Sequence, residues 1–139
     1  MGSRHKARRQ AVILLYRIEI TSKDYKTIIK EYLQNTDMTD DEIEYCLMLI
    51  KGYMKNRIII DKLISKKAEK WQLDRIAGYE RNILRVGIYE LLFKGEIPPK
   101  VAINEAINLA KELGSTDKSP AFINAIMDAI YGESVSDAK

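Results

Sequence analysis

An all-α domain of six or seven helices is the fold this sequence predicts, and two observations carry the prediction. Apolar residues return at helical spacing along nearly the whole chain, and no stretch shows the strict alternation of a strand. Capping and helix-breaking residues punctuate the periodic stretches where helices should begin and end. At 139 residues, the chain suits one domain over 1–139 with a core of its own.

The first helix is expected from about Arg4 to Ile20, with Ser3 as its N-cap and Ala11, Leu14, Leu15 and Ile18 as its buried stripe. Tyr25, Ile28, Ile29, Tyr32 and Leu33 give a shorter second helix. Thr39-Asp40-Asp41-Glu42 is a capping box opening a third, whose stripe is Ile43, Cys46, Leu47, Ile50 and Met54. The apolar run from Ile58 to Ile64 either continues that helix or starts another near Asn56. After Trp71 and Leu73, a pattern through Ile83, Leu84, Gly87, Ile88 and Leu91 reaches Phe93, with Gly95 as a left-handed C-cap. Pro98-Pro99 enforces a connection. Ile103, Ala106, Ile107 and Ala110 then mark a helix that Gly114 ends. Ser119-Pro120 opens the last one as N-cap and first-turn proline, with Ile123, Ile126, Met127 and Ile130 inward, Gly132 ending it and Glu133 to Lys139 a frayed tail.

Charged residues make up 31% of the chain with both signs interspersed, and 46% is apolar, a balance that argues against disorder. Of its 23 lysines and arginines, Arg4, Lys6, Arg8 and Arg9 crowd one helix start, while the other 19 are outnumbered by 20 acidic residues. The basicity is therefore a single N-terminal cluster, a footprint for phosphates or a solvated tail. The apolar run Ala11 to Tyr16 is too short for a signal sequence and no stretch is long enough to span a membrane, so a cytoplasmic location is expected.

Catalysis has little to work with. His5 and Cys46 are the only histidine and cysteine, and they form neither a metal-ligand spacing nor a nucleophile and base pair. No glycine loop for phosphates is present, and no cofactor is expected. Asp40, Asp41, Glu42 and Glu44 fall in or beside a first helical turn, where the dipole accounts for them. The lone Cys46 in an apolar stripe reads as core, and the chain is expected not to be an enzyme.

Binding is better supplied. Cations at a helix N-terminus oppose the macrodipole by roughly 0.3–1 kcal/mol each, so bound phosphates or simple solvation must compensate. Lys6, Arg9, Ile13 and Tyr16 project opposite the core stripe, towards either a second helical layer or a partner. Glu80 stands in line with Leu84, Gly87 and Leu91, so its charge needs the helix N-terminus or a partner's basic group. Phe122 lies at the edge of its helix's stripe beside the polar loop Ser115 to Ser119, either core or a platform for an unpaired base.

Three segments carry a family resemblance: Arg4-His5-Lys6-Ala7-Arg8-Arg9-Gln10-Ala11 with Leu15-Tyr16; Glu80 to Arg85 with Tyr89-Glu90-Leu91; and Ile97-Pro98 through Lys100-Val101-Ala102-Ile103-Asn104-Glu105-Ala106. With Leu109-Ala110-Lys111, Gly114 and Phe122-Ile123-Asn124, they resemble the NusB family over nearly the whole chain. The resemblance implies two packed three-helix groups that bind the boxA element of RNA, pair with the ribosomal protein NusE and join antitermination complexes on RNA polymerase, including on rRNA operons. It leaves open a homodimer of the free protein. By position, Arg4, His5, Lys6, Arg8, Arg9, Lys111, Asp117, Lys118 and Phe122 would face RNA, while Tyr16 and Glu80 would contact NusE. Ala125 departs from the glycine frequent in the family, so a backbone that needed positive φ there would have to differ. Two other readings stand beside this one: a NusB-like domain of the kind that precedes rRNA cytosine methyltransferases, and a helical scaffold that binds only protein.

Overall fold

The computed structural model describes residues 3–68 and 73–138, and the stretch containing Trp71 lies outside them. Seven α-helices follow in order: α1 Arg4–Ile20, α2 Tyr25–Leu33, α3 Asp40–Lys55, α4 Arg57–Lys67, α5 Gly78–Phe93, α6 Pro99–Leu113 and α7 Ser119–Ala138, with a 3₁₀ turn Leu73–Arg75 before α5. No strand occurs among the described residues. Helices α1, α2 and α3 pack as one group and α5, α6 and α7 as another; α1 and α3 lean on α5, and α4 bridges to α5 and α7.

The caps do what their chemistry suggests. Ser3 accepts from the Lys6 amide, and Thr39 and Glu42 complete a reciprocal capping box. Glu42 also accepts from the Ser3 amide at 2.6 Å, so the start of α3 is tied to the start of α1. Asn56 separates α3 from α4 and turns its side-chain amide back onto the Gly52 carbonyl at 2.8 Å, which settles the break that periodicity left open.

Three helix ends differ from expectation. No residue described has a left-handed backbone, so neither Gly95 nor Ala125 does, and α7 continues through Ala125. Pro98 and Pro99 form the start of α6, where a missing N–H costs nothing, rather than a connection. Gly132 does not end α7, which runs on to Ala138; Glu133 accepts from Lys66 at 2.9 Å and pairs with Lys67 on α4, and these contacts hold the extra turns.

Helix α5 is the centre of the molecule, buried on every side rather than along one stripe. Ile83, Leu84 and Ile88 are fully enclosed with Leu14, Leu49, Leu109, Ile123 and Met127 from its neighbours. The charged residues of α5 are enclosed too and must be paired. Arg81 and Arg85 both hold Glu19, at 2.6 and 2.9 Å, and Arg85 also holds Asp61 at 3.0 Å. Cys46 is buried, and burial pushes its thiol up to about 12, as suits an inert core residue.

Candidate nucleic-acid interface

The compensation for the basic start of α1 comes largely from within the chain. His5 sits between two carboxylates of α6, with Nδ1 2.8 Å from Glu105 and Nε2 2.6 Å from Glu112. Arg9 approaches Glu112 at 3.6 Å, and Lys6 pairs with Asp37 at 3.0 Å. Arg4 is exposed with its guanidinium 4.7 Å from the centre of the Tyr45 ring, a cation–π contact that leaves its N–H donors available.

Arg8 does not belong with these surface cations. It is 4% exposed, and its Nε donates to both oxygens of Glu90, at 2.8 and 3.0 Å, in the middle of the domain. Tyr45 donates its hydroxyl to the same carboxylate. The expectation that Arg8 grips RNA phosphate is corrected accordingly: its head group is spent on an internal ion pair. A sequence signal for this exists, because Arg8 shares the i, i+3, i+4, i+7 register of Ala11, Val12 and Leu15.

The imidazole of His5 has a donor or acceptor role at each nitrogen, and a neutral ring can donate from only one. Burial alone would lower its pKa, but hydrogen bonds to Glu105 and then Glu112 outweigh burial and leave it raised above 6.5. The folded state therefore favours the imidazolium. The stability it adds is complete below the unfolded value and fades as pH rises through the folded one. Against wild type, His5→Gln is expected to lose its stability deficit as pH climbs from about 6 through that raised value, measured by thermal unfolding across the range. A deficit of constant size would show that the ring contributes only shape.

Glu80 is also placed differently from expectation. It is 4% exposed, and its Oε2 accepts from the Ser115 amide at 2.9 Å, the Ser115 hydroxyl at 2.5 Å and the Ser119 hydroxyl at 2.6 Å. Burial works to raise its pKa, but these bonds from Ser115 and Ser119 prevail and lower it, so the carboxylate is charged at neutral pH. It is thus an internal staple of the loop before α7, with little of its own surface exposed. Ser119, expected to cap α7, turns its hydroxyl inwards to this carboxylate instead. Gly114 allows the arrangement, since a Cβ there would stand 2.4 Å from the Ala110 carbonyl oxygen and 2.5 Å from Ser119 Cβ.

Tyr16 is half-buried against the start of α5, where a Cβ on Gly78 would fall 2.1 Å from its ring, and its centroid lies 5.0 Å from that of Tyr79. The second helical layer covers part of Tyr16 and leaves part at the surface. Lys111, Asp117 and Lys118 are exposed, and Phe122 is half-buried at the edge of α7. Helix α6 brings the two sets together: Glu105 and Glu112 hold the start of α1, Lys111 lies beside Glu112, and the helix then delivers the loop 115–118 and Phe122. Behind that loop is a pocket of about 280 Å³ lined by Arg75, Ile76, Ala77, Glu80, Ser115, Thr116, Lys118, Ser119 and Phe122. Arg75 is the residue that sequence reasoning missed, since its place here depends on the turn between α4 and α5.

Fold and site together define an all-helical binding domain, in which a basic helix start and a loop-lined pocket are joined by one helix. The NusB family profile matches residues 5–132. A transcription antitermination protein NusB from Nitratiruptor sp. is 39% identical, with 96% of this chain and 94% of that one covered. Its counterpart from Saccharopolyspora erythraea is 41% identical over 95% and 88%. Among solved structures, T. maritima NusB superposes with a TM-score of 0.85 at 36% identity, covering 96% of this chain and 94% of that one. A structure of the antitermination factors NusB and NusE in complex with dsRNA gives 0.77 at 28%, covering 94% and 96%. This chain belongs to the NusB family.

Proposed function

We propose that this protein is a transcription antitermination factor that binds single-stranded RNA of the boxA type together with NusE, within complexes on RNA polymerase in the cytoplasm. The observation that carries the reading is the convergence, along α6, of the basic start of α1 with Lys111, Lys118 and the half-buried ring of Phe122. Cations give phosphate affinity and an edge aromatic gives base stacking, a combination suited to an unpaired strand. The relatives named above are antitermination proteins, and one related structure holds NusE and RNA. Arg4, Arg9, Lys111 and Lys118 are assigned to phosphates, His5 and Lys6 to the basic rim, and Asp117 and Phe122 to the bases. Tyr16, beside Gly78 and Tyr79, is assigned to NusE, with Glu80 acting from inside by fixing the neighbouring loop.

Salt dependence tests this reading. Each phosphate contact to a single strand contributes about 0.7 to the logarithmic slope of affinity against salt through counterion release. Arg9→Ala and Lys118→Ala are each expected to lower the slope by about that amount in titrations of a short boxA-like RNA. Slopes that match wild type in both variants would remove these cations from the interface.

A further inference from the structure

One oxygen of Glu80 is unused. Oε2 accepts from three donors, whereas Oε1 is buried without a hydrogen-bond partner. A buried carboxylate oxygen left unpaired costs free energy, which a ligand donor would recover. Glu80 forms part of the wall of the 280 Å³ pocket, and the terminal torsion of a glutamate is soft, so a rotation small enough to keep Oε2 on Ser115 and Ser119 would let Oε1 meet a donor entering there.

The other walls state what that is. Ile76, Ala77 and the Phe122 ring are apolar and suit a flat ring. Arg75 and Lys118, both exposed at the pocket, form no ion pair among the described residues. Two such cations repel a lysine or arginine arriving from a partner protein but attract a phosphate. A carboxylate accepts and never donates, so the entering ring must bring an N–H. Resting on the reading that this chain binds RNA, we propose that the pocket receives one nucleobase of the bound strand, with its N–H edge on Glu80 Oε1, its face on Phe122 and its phosphate towards Arg75 and Lys118. Glu80 is then a specificity-determining residue that selects, at one position, an amino or imino donor. Because a single oxygen is available, it suits a base offering one N–H there, such as the amino group of cytosine or adenine or the imino group of uracil, more than the paired donors of guanine.

The test places the change in the RNA as well as in the protein. A short boxA-like RNA is scanned one nucleotide at a time with bases whose N–H donors are replaced by N-methyl groups, and each RNA is titrated against wild type and Glu80→Gln. Glu80→Gln keeps size and shape, and its fold is checked by circular dichroism. With wild type, one position is expected to lose affinity by about tenfold or more on methylation, the size of one hydrogen bond to a charged group. In Glu80→Gln, that position should respond at least several-fold less, while the response elsewhere is unchanged. The proposal is overturned if no position distinguishes the two proteins, or if Glu80→Gln weakens every RNA equally, which is the mark of a loop staple alone. A variant that weakens NusE binding but leaves the RNA scan as in wild type overturns it too and assigns the oxygen to the protein partner. If wild type binds none of these RNAs, the fault lies in the RNA-binding reading itself.

Discussion

Arg8→Ala is expected to cost about 3–5 kcal/mol of folding stability, the cost of leaving a buried charge without its partner. Glu90 is 1% exposed and Arg8 4%, so water cannot replace the guanidinium once it is gone. Tyr45 still donates to the remaining carboxylate, but one neutral hydroxyl does not balance a full charge in that environment. Urea unfolding of the two proteins measures the difference. Replacing both partners with apolar side chains, Arg8→Met with Glu90→Leu, should restore much of the loss, because it removes the stranded charge as well as the pair. A single-variant cost below about 1 kcal/mol would place the pair in the class of solvated surface bridges, against the geometry. Any loss of RNA affinity in Arg8→Ala should then follow the unfolded fraction, in contrast to Arg9→Ala, whose fold should be intact.

That contrast shows how far the sequence could be read and where it stopped. Helix positions on the first and third helices were legible because periodicity and caps are local, and the capping bonds of Ser3, Thr39 and Glu42 close within three residues. The basic cluster was legible as composition. What became of its charges was not, because Glu105 and Glu112 lie about a hundred residues away, and nothing local says that α6 crosses the start of α1. The same holds for α5. Its apolar stripe is legible from spacing, but nothing local to α5 says that Arg81 and Arg85 meet Glu19 and Asp61. Glu80 was recognised as a charge in need of satisfaction. Its donors, Ser115 and Ser119, depend on a tertiary approach that only a glycine at 114 permits.

Phe122→Ala is expected to lower the affinity for a boxA-like RNA by about 1–3 kcal/mol, roughly five-fold to more than a hundred-fold, by removing the platform on which a base stacks. The ring is half-buried: it packs on the core with one part and lines the pocket with another. Stability should therefore fall by less than the roughly 3–5 kcal/mol typical of deleting a fully enclosed phenylalanine. Affinity must be measured on folded protein, at a temperature well below unfolding, so that the two losses are separated. Phe122→Leu sharpens the distinction because leucine keeps apolar volume against Ile76 and Ala77 but has no π face. It should recover most of the stability while recovering little of the affinity. If Phe122→Leu binds RNA as wild type does, the ring serves only to fill space beside the loop, and base stacking at this edge of α7 is wrong.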